Sequence, residues 1–159
     1  MNFTIRPATI DDAGALAGYN SAMAEETEGR SLDPDLIGPG VRALLDDDAK
    51  GRYWVAEGDG RVIGQIMVTY EWSDWRNGTI WWIQSVYVHP DWRRAGVFST
   101  LYRHVESLAR QTPQVIGLRL YVEENNKRAQ RIYEALGMVN PSYLVMEAML
   151  QSDEQEGNR

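Results

Sequence analysis

Apolar positions along the chain change their spacing several times, and each change marks an element. FTIRP alternates as a strand does and stops at Pro7. Ala13, Leu16 and Ala17 then recur at helical spacing, which predicts a helix capped by Asp11 or Asp12 and running to about Met23. SLDPDLIGPG breaks that pattern, and VRALLDDD predicts a short second helix. YWVAE and RVIGQIMVTYEW read as strands joined by a Gly-Asp-Gly turn, hence a hairpin. SDWRNG turns the chain again, with Asn77-Gly78 as a strong hairpin signal, into the strand IWWIQSVYVH that Pro90 ends.

Val97, Leu101, Val105 and Leu108 share one face of a third helix. VIGLRLYVE follows as a strand, NNKRAQRIYEALG as a helix closed by Gly137, and PSYLVMEAML as a last strand. The order β-α-α-β-β-β-α-β-α-β predicts an α/β domain (α+β by some schemes) over residues 3–150. Its expected centre is a mixed sheet of six to seven strands with helices on both faces. Between residues 80 and 122, the strand-helix-strand run predicts a right-handed crossover and two parallel strands. Residues 151–159 are polar and are expected to be disordered.

Composition narrows the function classes. A length of 159 residues suits one domain, and 43% hydrophobic residues can form its core. With no cysteine there is no disulfide, no thiolate metal site and no cysteine nucleophile. His89 and His104 lack a spaced partner ligand and read as structural, so no metal is expected. The absence of a long apolar run or a secretory leader leads to the expectation of a cytoplasmic protein without a membrane partner.

A net charge of −7 argues against nucleic acid as a partner. The charge is uneven: residues 1–60 carry twelve acids and five bases, while residues 93–131 carry eight bases and three acids. The first part suits a cationic partner and the second an anionic one. Solvated helix surfaces would give the same unevenness.

Residues 85–102, SVYVHPDWRRAGVFSTLY, concentrate the chemistry. A strand ends, a basic loop containing a glycine follows, and a helix begins. Unpaired N–H groups and the positive end of the helix dipole suit a phosphate there. Gly96 lets the backbone approach the anion, and Arg93 and Arg94 add charge.

These residues resemble the GNAT superfamily of N-acetyltransferases. Its pyrophosphate motif, Arg/Gln-x-x-Gly-x-Gly/Ala, reads here Arg93-Arg94-Ala95-Gly96-Val97-Phe98, preceded by Val88-His89-Pro90. Its second signature, Asn-x-x-Ala-x-x-x-Tyr followed by Leu-Gly-Phe, reads Asn126, Ala129 and Tyr133, then Leu136-Gly137-Met138. Phe98 and Met138 depart from the pattern, and neither change removes a backbone donor.

The resemblance implies a GNAT fold and direct transfer of acetyl from acetyl-CoA to an amine. Backbone amides from Arg94 to Ser99 would hold the diphosphate. In the family the fourth strand bulges and splays from the fifth. Main-chain groups of Val86 and Val88 would pair with pantetheine in that cleft as an added strand does. Asn126 would reach the cofactor arm, and Tyr133 would protonate the departing thiolate. Outside that resemblance, Tyr133 reads as a core aromatic on a helix.

The base stays open. Many relatives carry a glutamate near the position aligned with Gln84 or Ser85, and Gln84 cannot take a proton. Glu71, Glu25, Glu26 and Asp74 could act through water, and each also reads as a solvated charge. Glu25, Glu26, Glu28, Asp33 and Asp35, with Glu71 and Asp74, could form a negative mouth for a cationic small amine. Trp72, Trp75, Trp81 and Trp82 read as hairpin packing or a homodimer contact before an aromatic wall for a cation. Alternation puts Trp81 and Trp82 on opposite faces. The alternatives to a small-amine transferase are acetylation of a protein lysine or N-terminus, and a catalytically silent acyl-CoA sensor.

Overall fold

In a computed structural model that describes residues 1–151, one sheet is built from five strands. They are Thr4–Pro7 (β1), Arg52–Gly58 (β2), Arg61–Ser73 (β3), Gly78–Val88 (β4) and Val115–Leu120 (β5), and they pair in chain order. The first four run antiparallel to their neighbours, and β5 joins β4 in parallel, as the crossover requires. The helices are Ala13–Glu28 (α1), Pro34–Leu45 (α2), Val97–Gln111 (α3) and Lys127–Ala135 (α4). Two compact units divide the chain, Met1–Tyr121 with the whole sheet and α1 to α3, and Val122–Arg159 with α4.

The sheet thus has five strands, short of the six to seven expected. PSYLVMEAML forms no strand among the described residues. Its apolar run lacks the clean alternation of a half-buried strand, and no ladder forms to give it a strand's hydrogen bonds. The expected tail lies outside the described residues from position 152 onward.

Helix boundaries also shift. α1 continues five residues past Met23 through Ala24-Glu25-Glu26-Thr27-Glu28, largely strong helix formers. It stops at Gly29, whose left-handed φ of 62° lets its N–H reach the carbonyls of Ala24 and Glu25. SLDPDLIGPG proves to be a helix start and not a break. Asp33 caps α2 by accepting from the Asp35 N–H at 2.9 Å, and Pro34 takes the first helical position, where a missing donor costs nothing. Asp12 precedes α1 but does not cap it with its side chain; its carboxylate binds Arg6 at 2.8 and 2.9 Å.

The pleat sorts the two faces. Tyr53 and Val55 point to a core formed with Ala13 and Leu16 of α1 and Val41 and Leu44 of α2. Trp54 and Ala56 alternate to the other face, where α3 packs. The packing there is close: a Cβ on Gly64 would lie 2.9 Å from Val97 and 3.4 Å from Leu101.

Asp59 and Gly60, at φ 52° and 73°, form the two-residue turn of the first hairpin. In the second hairpin Asn77 is left-handed at φ 47°, but Gly78 is already strand. Glycine is needed there for space, because a Cβ would fall 2.6 Å from Ile116 of β5. Trp81 is buried beside Trp54, with ring centres 6.1 Å apart. Trp82 faces the opposite side, 4.6 Å from Tyr121, as alternation requires. Trp72 and Trp75 are exposed near the hairpin tip.

Candidate active site

IWWIQSVYV looks continuous in sequence, yet β4 is broken in its middle. Gln65 pairs with Tyr87 and Met67 with Gln84, so Ser85 and Val86 stand opposite Ile66 alone. This is a β-bulge, with Ser85 left-handed at φ 52°. Pairing with β5 stops at Ile83 and Leu120, just before the bulge. Beyond it, His89 donates to the Ile63 carbonyl of β3 at 2.9 Å. By alternation, the main-chain groups of Val86 and Val88 face away from β3, on an edge that no strand covers among the described residues.

Buried polar side chains hold this bulge. Gln65 is fully buried, and its Nε2 donates to the Ser85 carbonyl and to Asn20 Oδ1, each at 3.0 Å. Asn20 Nδ2 in turn donates to the Tyr53 hydroxyl at 3.0 Å. Both acceptors of Gln65 are oxygens, which fixes its amide orientation. Its Oε1 has no partner, a cost of about 1–3 kcal/mol for a buried acceptor. None of Asn20, Tyr53 or Gln65 was singled out from the sequence. The available signal was Gln65 itself, a lone amide inside the apolar run VIGQIMV.

Asn20, Tyr53 and Ser85 also border a cavity of about 120 Å³ between α1, α2 and the sheet. Ile37, Gly40, Val41 and Leu44 of α2 line it on one side. Asn20, Tyr53, Met67 and the bulge residue Ser85 line the other.

The basic loop adopts a shape suited to an anion. After Pro90–Trp92, a single 3-10 turn, Arg94 is left-handed at φ 66° and Gly96 at φ 80°. Gly96 sits at the start of α3, and a Cβ added there would meet no atom within 4 Å, so its role is conformational. Thr100 is the first α3 residue whose N–H bonds back, to Gly96 at 3.0 Å. The N–H groups of the preceding turn are those a helix leaves to a ligand. Arg94 and Ser99 are exposed and Ala95 half-buried, whereas Val97 is buried under β3. Phe98, in the motif's small position, packs 6.2 Å from Tyr102.

Arg93 is placed differently from Arg94. Its Nη2 binds Glu26 at 2.8 Å, its Nε donates to the Val88 carbonyl at 3.1 Å, and its guanidinium lies 5.4 Å from the Tyr87 ring centre. Glu26 also accepts from the Tyr87 hydroxyl at 2.7 Å. That hydroxyl first, and Arg93 second, hold the Glu26 carboxyl below its usual range. Glu26 is therefore a clamp between α1 and the end of β4, a poor base and a weak lure for a free cation.

Several of the other acidic candidates have partners of their own, none of them the bulge residues Ser85 and Val86. Glu25, Glu28, Asp33 and Asp35 are exposed, and Asp33 is occupied as a cap. Glu71 accepts from Trp82 Nε1 at 3.1 Å and pairs with Arg119 at 2.8 Å. Four residues along β3 separate it from Met67, the partner of Gln84, or about 13 Å at strand rise. Asp74 accepts from the Trp75 N–H in the hairpin loop. Gln84 donates to Thr69 Oγ1 at 2.6 Å.

In the second unit, Asn126 caps α4: its Oδ1 accepts from the Ala129 N–H at 3.1 Å. Tyr133 is half-buried on that helix, and burial raises its phenol above the usual 10.0, so it keeps its proton at neutral pH. Among the described residues no group of His, Asp or Glu is arranged to hold a metal, and no helix is long and apolar enough to cross a membrane.

Residues 17–138 match the Acetyltransferase (GNAT) family, and the chain belongs to it. A solved structure from Clostridium difficile 630, described as a possible acetyltransferase, is 43% identical with a TM-score of 0.89. That match covers 96% of this chain and all of the other. A predicted acetyltransferase from Clostridium acetobutylicum, solved with acetyl-CoA, shares the fold at a TM-score of 0.75 and 16% identity, covering 92% and 96% of the two chains. A curated relative, thialysine N-epsilon-acetyltransferase of Bos taurus, is 33% identical over 76 residues, 48% of this chain. The match spans 44% of that relative's length.

Proposed function

We propose that this chain transfers acetyl from acetyl-CoA directly to the primary amine of a small molecule. The observation that carries this reading is the split in β4. Its main chain leaves β5 at Ile83, bulges at Ser85, and presents Val86 and Val88 on an open edge beside the Gly96 loop. An extended amide-bearing arm can add to such an edge as a strand would. Loop amides from Arg94 to Ser99 take the diphosphate, Arg94 adds charge, and Asn126 and Ala129 belong to the second cofactor signature. Arg93 must release the Val88 carbonyl for the full edge to be used, or else leave that acceptor out of the pairing.

Acetyl-CoA supplies an activated acyl group when bound. The amine nitrogen gives its lone pair to the thioester carbon, a C–N bond forms, and the C–S bond breaks. One proton leaves the amine and one reaches the thiolate sulfur. Tyr133, matched to the family tyrosine and holding its proton at neutral pH, is assigned the second transfer. An alkyl ammonium of pKa near 10.4 must first lose a proton. Bulk water is assigned that role, because Gln84 offers no base and no carboxylate lines the cavity beside Ser85.

A catalytically silent acyl-CoA sensor is the second reading, favoured by Gln84, which offers no base and is spent on Thr69. Measuring CoA release across a panel of primary amines separates the two. Turnover with any amine supports the transferase. Retained acetyl-CoA binding with no turnover on any amine supports the sensor.

A further inference from the structure

We infer that the acceptor amine carries a short branched apolar group, seated in the cavity between α1, α2 and the β4 bulge. The inference rests on the transferase reading and adds the substrate class. Position comes first. Ser85, whose carbonyl Gln65 holds in place, lines the cavity and immediately precedes the open edge at Val86. A group filling the cavity therefore lies one residue from the edge to which the cofactor arm is proposed to add.

Size comes next. A cavity of about 150 Å³ with aliphatic walls accepts benzene, so the 120 Å³ here suits about four or five carbons. Its α2 wall is Ile37, Val41 and Leu44, and Met67 closes it from β3. Its polar atoms are neutral: the Asn20 amide and the hydroxyls of Tyr53 and Ser85.

Charge decides against a diamine. No carboxylate lines the cavity, so an ammonium carried into it would exchange water for aliphatic walls with no counter-ion, an unfavourable trade. The acidic residues of α1 do not line the cavity either. Glu26 is bound to Arg93 and Tyr87, and Glu25 is exposed on α1. The reactive nitrogen stays at the bulge side while the carbon branch enters the cavity.

The test compares kcat/KM for 3-methylbutylamine, 1,4-diaminobutane and phenethylamine at saturating acetyl-CoA. We expect 3-methylbutylamine to exceed each of the others at least tenfold. Gly40 lines the cavity at the exposed end of its wall, and a Cβ added there meets nothing within 4 Å. Gly40→Leu is expected to lower kcat/KM for 3-methylbutylamine at least tenfold, with the KM for acetyl-CoA unchanged. Ile37→Ala enlarges the cavity and is expected to shift preference towards phenethylamine. Equal or better use of 1,4-diaminobutane, or indifference to both substitutions, overturns the inference and leaves the transferase intact. Absence of CoA release with every amine overturns both.

Discussion

Two single residues offer the sharpest tests. Tyr133 can be stripped of its hydroxyl alone, and Tyr133→Phe is expected to lower kcat about a hundredfold, the ordinary scale for losing a general acid. The KM for acetyl-CoA should hardly move. Wild-type turnover across pH would assign the proton to water. Gly96 offers the complementary test, because its φ of 80° and its place before α3 belong to the proposed diphosphate loop, away from the proposed proton transfer. Acetyl-CoA bound only by the folded state should raise the melting temperature of the wild type. Gly96→Glu puts a carboxylate and a strained backbone at the diphosphate position, so that rise should disappear. A shift of wild-type size in the variant would place the diphosphate elsewhere. The glycine-bearing loop before α3 was readable from sequence, and its left-handed Arg94 and Gly96 give it a shape suited to an anion. That Arg93 is engaged by Glu26 and the Val88 carbonyl was not readable, because 67 residues separate the ion pair's partners.

Among elements, what the sequence revealed depended on whether a local period existed. The strands of the first hairpin and the faces of α3 follow from alternation and helical spacing. Only the C-terminal half of α2 was predicted, from VRALL; its start was hidden because proline and glycine usually break helices, and Pro34 at its first position in fact starts it. The last expected strand failed because an apolar run names no partner strand. The bulge has no local signature, since Ser85 reads as one more polar position in an alternating strand. Its support is likewise non-local: Gln65, 20 residues from Ser85 and 45 from Asn20.

Gln65→Leu tests that support at the level of the strand. It relieves the unpartnered Oε1 but removes the donor from the buried Asn20 Oδ1 and the part-buried Ser85 carbonyl, each worth up to about 1–3 kcal/mol. The net loss in urea unfolding should be about 1–3 kcal/mol. kcat should fall further than a loss of folded protein explains, because Ser85 is freed from its left-handed conformation. A stable variant with unchanged kcat would show that the bulge holds without Gln65.

For the whole molecule, acidification should lower stability in two stages, since His104, Asp12 and Glu26 all titrate below their ordinary values. Burial beside Trp54 first, and Arg52 second, lower His104 from 6.5. The unfolded chain therefore takes up this proton before the folded one does, and stability falls as pH drops from about 6.5 through the folded value. Arg6 is the main cause that lowers Asp12 from 3.8, and the Tyr87 hydroxyl then Arg93 lower Glu26 from 4.5. Their contribution is present above those ordinary values and is lost as pH falls through the depressed ones. Urea midpoints should thus be flat above pH 7, decline gently below 6.5, and fall steeply below about 4.5. His104→Gln should remove the gentle decline and leave the steep one. Asp12→Asn should reduce the steep fall, because the Arg6 pairing that ties β1 to the start of α1 is weakened at every pH. Unchanged acid profiles in both variants would assign the acid sensitivity to other groups.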